Sequence, residues 1–122
     1  MGQVLGIGGV FIRAKDPKAM TAWYARHLGI PDGEQGFWQA AGGPTVIAQF
    51  SETTDYFPTD QRVMLNLRVD DLDAVTTRLQ SEGIEVRFNP DWDEDGSFGR
   101  FARIHDPEGN AIELWEPAAE HR

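Results

Sequence analysis

The chain contains no cysteine. This absence excludes disulfide bonds, thiolate zinc sites and cysteine nucleophiles from any account of its stability or chemistry. Basic residues are also scarce, since 11 Lys and Arg stand against 20 Asp and Glu and leave a formal net charge of −9. Because an acidic surface repels phosphate backbones, nucleic acid is not an expected partner.

Long apolar segments are lacking as well. No run approaches the roughly 20 residues that a membrane-spanning helix needs, and the N-terminal residues do not have the basic-then-apolar layout of a signal peptide. We therefore expect no membrane partner and a cytoplasmic location. Hydrophobic residues nevertheless make up 40% of the 122 residues and aromatic residues 11%. That composition is sufficient for the core of one domain, and the length is too short for two ordinary ones.

An internal repeat divides the chain. Val10–Asp16 aligns with Leu65–Asp71, because each segment alternates in a strand-like way and ends in Asp. A helical stretch follows in each half and closes at a glycine, Gly29 or Gly83. The repeat predicts a single domain over residues 1–122, made of module one (about 1–50), a linker (about 51–61), module two (about 62–117) and a tail (118–122).

Cap residues mark the two predicted helices. Asp16 followed by Pro17 is typical of a helix N-terminus, and Gly29 is typical of the left-handed residue that ends a helix. Asp71 has the same capping role in the second half. Short alternating segments between turn residues predict the remaining strands at Phe37–Ala41, Thr45–Phe50, Ile84–Phe88, Gly99–His105 and Ala111–Trp115.

The alternation also predicts which side chains lie under the helices. In the strand at 65–69, Leu65 and Leu67 belong under the helix, whereas Asn66 and Arg68 face away. Extended to the other strands, the opposite face carries Phe11, Arg13, Ile47, Gln49, Met64, Asn66, Arg68, Glu113 and Trp115. Apolar walls with a few polar groups are typical of a ligand cleft. A sheet face covered by a partner subunit has the same character, so both interpretations stay open.

The closing segment Asp106–Trp115, the opening segment Gly8–Asp16 and the segment Asn66–Leu72 together resemble the vicinal oxygen chelate superfamily. This superfamily includes glyoxalase I, extradiol dioxygenases and bleomycin-resistance proteins, and the resemblance covers nearly the whole chain. It implies an α+β fold of two βαβββ modules whose curved mixed sheets enclose a cleft. It also implies a homodimer, because clefts of this superfamily often involve two chains.

Enzymes of this superfamily usually hold a divalent metal with side chains from several cleft strands. The resemblance carries those positions onto Gly9, Met64, either Ile47 or Gln49, and Glu113. Glycine offers no side chain, and a thioether is a poor ligand for hard or borderline cations. We therefore expect no native metal. The alternative is a divalent ion held by Gln49 and Glu113 together with residues of a partner chain.

Charged residues on the cleft face have two possible roles each. Glu113 is the catalytic candidate, as a general base, and the alternative is a structural salt bridge with Arg13 or Arg68. The two arginines are equivalent in the repeat. They either clamp an anionic ligand group or pair with acidic residues at the strand ends.

Three functional hypotheses follow from these assignments. The first is a protein that binds a small organic molecule, stacked by aromatic rings and oriented by polar side chains; its predicted contacts are Phe11, Arg13, Trp38, Gln49, Met64, Asn66, Arg68 and Trp115. Trp92, in the acidic segment 91–96, is a further predicted contact at the cleft mouth. The second is a glyoxalase-like lyase or isomerase, or a dioxygenase-type enzyme, that uses Glu113. The third is an assembly module without a ligand.

Overall fold

The computed structural model describes residues 2–33 and 36–122. Its elements are α1 (Pro17–Leu28), β1 (Leu65–Arg68), α2 (Leu72–Ser81), α3 (Pro90–Asp93), β2 (Gly99–His105), β3 (Ala111–Pro117) and a 3₁₀ turn (Ala119–His121). The three strands form one mixed sheet in the order β1-β3-β2, with β1 parallel and β2 antiparallel to β3. The predicted α+β class is confirmed. Within the described ranges, none of the helices has the length and apolar character needed to cross a membrane.

Both long helices begin where the cap residues predict. The Asp16 side chain accepts a hydrogen bond from the Ala19 N–H at 3.1 Å, and Gly29 ends α1 with a φ of 69°. Asp71 caps α2 in the same way, through the Ala74 N–H at 3.0 Å. These caps satisfy backbone donors that the first helical turn leaves free, so the local sequence is sufficient to fix each start.

The second half forms most of its predicted strands. β2 has the predicted bounds, and β3 runs two residues further than predicted, to Pro117. The strand predicted at Ile84–Phe88 is reduced to one bridge, in which Arg87 and Arg103 exchange backbone hydrogen bonds of 2.9 and 2.8 Å.

The strands predicted in the first half are not found. The segments Val10–Asp16, Phe37–Ala41 and Thr45–Phe50 lie outside the sheet that the described residues form. A strand is stable only when its backbone groups pair with a neighbour, and alternation in the sequence does not supply that neighbour. Apolar side chains of these segments stay in solvent: Phe11 is 98% exposed and Phe37 88%. The two-module arrangement is therefore not confirmed.

The core lies between the helices and one face of the sheet. Its buried members come from both halves of the chain and are Met20, Tyr24, Leu72, Leu79, Ala102, Ile104, Ile112 and Leu114. Ile112 and Leu114 contact the core from β3, as alternation predicts, so that Glu113 between them points to the opposite face. Helix α1 is thus packed into the same core as the second-half sheet.

Polar contacts fix the position of α1 on this core. The Glu108 carboxylate accepts hydrogen bonds from the backbone N–H groups of Lys15 at 2.8 Å and Asp16 at 2.9 Å. The Tyr24 hydroxyl donates to the buried Asp106 carboxylate at 2.8 Å. The turn between β2 and β3 therefore anchors the start of the first helix.

Candidate functional site

Glu113 is the centre of the candidate site, on the sheet face that points away from the helices. Its side chain is buried, with the residue only 6% exposed. Asn66 lies opposite Glu113 in the β1–β3 register, and its Nδ2 donates to one carboxylate oxygen at 2.7 Å. The Tyr56 hydroxyl donates to the other oxygen. Both oxygens of this buried carboxylate thus accept a hydrogen bond from a neutral donor, which lowers the free energy cost of burying the charge.

The Tyr56 phenol is held in its protonated form. Burial raises the pKa of Tyr56, and the hydrogen bond to Glu113 and the negative charge of that carboxylate raise it further, whereas the nearby Arg103 opposes the shift. Because the phenol stays neutral at physiological pH, it remains a hydrogen-bond donor to Glu113.

Arg103 completes the cluster from β2, where it lies directly opposite Glu113 in the strand register. It is 8% exposed. Its guanidinium carbon lies 5.0 Å from the centroid of the Tyr56 ring and 4.9 Å from that of the Trp92 ring. These distances are typical of cation–π contacts. Its Nε and Nη2 atoms are buried and have no hydrogen-bond partner within the described residues.

Two cavities of ligand size are lined mainly by the segments that precede β1, and the second also reaches β1 and β3. The first, of about 570 Å³, is lined by residues that include Gln49, Phe50 and Met64. The second, of about 460 Å³, is lined by residues that include Phe11 and Arg13. Phe50 stacks on Tyr56 with ring centroids 5.4 Å apart, so the wall of the first cavity contacts the Glu113 cluster. Both volumes lie within the range of small-molecule sites.

The predicted contact residues fall into separate groups. Asn66 joins Glu113, Gln49 and Met64 share the first cavity, and Phe11 and Arg13 share the second. The Trp115 indole stacks on Phe101, with centroids 6.2 Å apart, and its Nε1 donates to the Phe98 carbonyl at 2.8 Å. Trp38 is half exposed and, within the described part of the chain, lies outside both cavities.

The predicted ion pairs of Glu113 are not formed. Its carboxylate contacts the neutral donors Tyr56 and Asn66 in place of Arg13 or Arg68. The Arg68 guanidinium donates instead to the backbone carbonyls of Ala41 at 2.9 Å and Gly42 at 3.3 Å. The irregular first-half segment leaves these carbonyls available, because it is not paired in a sheet.

Two residues of the cluster, Tyr56 and Arg103, were not predicted from the sequence. Alternation along Gly99–His105 was a usable signal for Arg103, because its neighbours Ala102 and Ile104 are both core residues. Tyr56 lies in the segment interpreted as a linker, and no periodic pattern there indicates a contact with a residue 57 positions later.

The side chains at the family metal positions do not fit a divalent ion. Gly9 has no donor side chain, Met64 supplies a thioether, and the Glu113 oxygens already accept hydrogen bonds from neutral groups. Among residues 2–33 and 36–122, there is no group of three or more His, Cys, Asp or Glu residues that could hold a metal ion.

The structure is a small α+β fold with a mixed sheet, and one face of that sheet carries a buried polar cluster. A family model described as a glyoxalase-like domain matches residues 9–115. The chain therefore belongs to the glyoxalase-like domain family, within the vicinal oxygen chelate superfamily that its motifs resemble.

Two solved structures from Streptomyces sp. CB03234 are similar to the chain. TnmS3, an antibiotic binding protein, is 26% identical, with 94% of this chain and 100% of TnmS3 covered and a TM-score of 0.56. A glyoxalase/bleomycin resistance protein is 27% identical, with 86% of this chain and 95% of that protein covered and a TM-score of 0.49. No curated protein matches the chain.

Proposed function

We propose that this protein binds a small organic molecule on the cleft face of its sheet, and that it does so without a native metal. One observation carries the proposal: a cavity of about 570 Å³ is lined by Phe50, whose ring stacks on Tyr56 of the buried polar cluster that Tyr56 forms with Glu113 and Asn66. Such a cavity offers apolar area for affinity, and the polar side chains in its lining fix orientation. Gln49 and Met64 line it and are the proposed contacts there.

The likeness to TnmS3 supports binding as the activity. That protein is described as antibiotic binding, and the similarity extends over nearly all of both chains. Catalysis by Glu113 has less support, because a general base must reach a proton of the substrate, whereas Glu113 is buried and lines neither cavity. Asn66 donates to one of its oxygens and Tyr56 to the other.

We also propose that two copies of the chain associate. In this dimer, the first-half segments of one copy contact the second-half sheet of the other. Large apolar side chains of the first half, among them Phe11 and Ile47, are 98% and 71% exposed. Large apolar side chains that remain exposed favour contact with another protein surface.

Ligand binding is tested by melting the protein with a panel of fused-ring aromatic compounds. A ligand at 100 times its dissociation constant stabilises the native state by about 2.7 kcal/mol, which raises the melting temperature by several degrees. Asn66→Ala should remove the shift, because it leaves a Glu113 oxygen without its donor and disorders the cluster. Gln80→Ala, on the exposed side of α2, is the matched control and should keep the full shift. A panel without a single hit, or a hit that Asn66→Ala leaves unchanged, would contradict the proposal.

Metal content is tested separately, by elemental mass spectrometry of protein purified without added ions. We expect far less than one divalent ion per chain. A tightly held ion at one per chain would overturn the metal-free part of the proposal and leave the binding part standing.

A further inference from the structure

Arg13 and Arg62 both line the second cavity, of about 460 Å³. Neither guanidinium takes part in an ion pair among residues 2–33 and 36–122. Acidic residues are not scarce, since 20 Asp and Glu stand against 11 Lys and Arg, and Arg87 and Arg100 pair with carboxylates at 2.8 and 2.9 Å. Two cations that share one cavity repel each other, and an anion between them removes that repulsion.

Other donor side chains of this cavity are already engaged. The Tyr24 hydroxyl donates to the Asp106 carboxylate at 2.8 Å, and Nδ2 of Asn110 donates to the same carboxylate at 2.7 Å. Nε2 of Gln61 donates to two backbone carbonyls, at 2.8 and 3.1 Å. A side-chain amide has two N–H donors, so both donors of Gln61 are used. The two guanidinium groups are therefore the charged donors that remain for a ligand.

Gln61 also ties the segment that carries Arg62 to the sheet. Its side-chain amide accepts a hydrogen bond of 2.9 Å from the Ala111 N–H and donates one of 2.8 Å to the Ala111 carbonyl. The backbone of a neighbouring strand would make the same pair of contacts. Because Gln61, Arg62 and Val63 line both cavities, this anchored segment is the wall that the cavities share.

The charges and the apolar lining of the second cavity specify a class of ligand. Two arginines stand against one carboxylate, that of Asp60, so the lining favours a ligand with a single negative charge. A planar guanidinium matches a carboxylate through two parallel hydrogen bonds. Aliphatic side chains, among them Ile12 and Leu65, form much of the remaining wall and suit a ligand with an aliphatic body.

We propose that the second cavity is a binding site for a small aliphatic monocarboxylate, whose carboxylate is held by Arg13 and Arg62. The proposal goes beyond the proposed function, which concerns the first cavity. Arg62 belongs to the wall of both cavities, whereas Arg13 lines the second cavity and not the first. Arg13 is therefore the residue that distinguishes binding at the two places.

Isothermal titration with two probes of nearly equal shape tests this site. Cyclohexanecarboxylate carries the anion, and cyclohexanecarboxamide has the same ring without the charge. The titration is done at pH 7 and low ionic strength, where charges are least screened and the repulsion between two copies most opposes the proposed dimer. We expect the acid to bind about tenfold more tightly than the amide, at the lower end for hydrogen bonds to charged groups because both arginines are exposed.

Arg13→Gln should remove most of this preference for the acid, and Arg62→Gln should do the same. Arg26→Gln is the matched control, because it removes an equal charge from an exposed position of α1 that lines neither cavity. It should leave the preference intact. Circular dichroism checks that each variant is folded, and either cavity arginine serves if the other variant is not.

Three results would overturn the proposal: no binding of the acid, equal binding of acid and amide, or a preference for the acid that Arg13→Gln and Arg26→Gln change by the same amount. Each of them leaves the proposed function standing, because the panel of fused-ring compounds and Asn66→Ala test the first cavity separately. A panel without hits would in turn leave the acid site standing.

Discussion

At the scale of single residues, each tyrosine of the chain donates its hydroxyl to a buried carboxylate. Tyr24 donates to Asp106 and Tyr56 to Glu113, and the chain has no other tyrosine. In each case burial raises the phenol pKa most, and the partner carboxylate raises it further. The hydroxyls therefore lower the energy of two charges that the fold removes from water.

Ultraviolet titration of the phenols at 295 nm tests this assignment. A raised pKa in the folded state means that the tyrosines contribute stability below the unfolded value near 10, and that this contribution is lost as the pH rises above it. We expect the native protein to show almost no phenolate at pH 10, where half of the tyrosine in the denatured chain is ionised. Tyr24→Phe isolates the signal of Tyr56. Half-ionisation near pH 10 in the folded protein would contradict the buried pairing.

At the scale of elements, Glu108 joins α1 to the turn between β2 and β3. Its carboxylate accepts from the Lys15 and Asp16 N–H groups just before the helix, where negative charge also interacts favourably with the helix dipole. The turn after one strand thus positions a helix that precedes it by about ninety residues.

Glu108→Ala should lower the free energy of unfolding by about 1–2 kcal/mol, because two backbone donors lose a charged acceptor. Urea denaturation measures this change, and hydrogen exchange should show faster exchange at the start of α1. Glu85→Ala is the control: its pair with Arg87 is exposed, and exposed pairs contribute little. Equal effects of the two substitutions would show that Glu108 does not hold the helix.

At the scale of the whole molecule, net charge and exposed apolar surface oppose each other. Each copy carries a formal charge of −9, which repels a second copy. The apolar side chains of the first half, with Phe11 98% exposed, favour association. The proposed pair of chains therefore depends on ionic strength, because salt screens the repulsion and leaves hydrophobic contact largely unaffected.

Sedimentation velocity at low and high NaCl tests the proposed pair. We expect the dimer fraction to rise with salt, as the Debye length falls from about 30 Å at 0.01 M to about 3 Å at 1 M. Phe11→Glu should shift the protein towards monomer at every salt concentration. Gln80→Glu adds the same charge on the exposed side of α2 and should change the fraction much less. Monomer under all conditions would rule out the pair.

Local signals predicted α1, α2 and the three strands of the sheet, and failed where structure depends on distant partners. Asp16 and Gly29 fix α1 through contacts within a few residues, so the sequence was sufficient there. The first-half segments alternate just as regularly, but alternation selects a face and does not provide a neighbouring strand. For the site, the alternation of side chains along the strands correctly placed Asn66 and Glu113 on one face of the sheet. Tyr56 escaped prediction because only the folded chain brings it to Glu113.

Met20 and Tyr24, from the first half, lie in one core with Leu72 and Ile104 from the second. The two halves of the chain therefore share one core and are not independent units. A recombination event that exchanged one half for that of a distant relative would have to bring a compatible helix α1, or the inherited sheet would lose the side chains that cover it. Any exchange of one half is therefore constrained at helix α1.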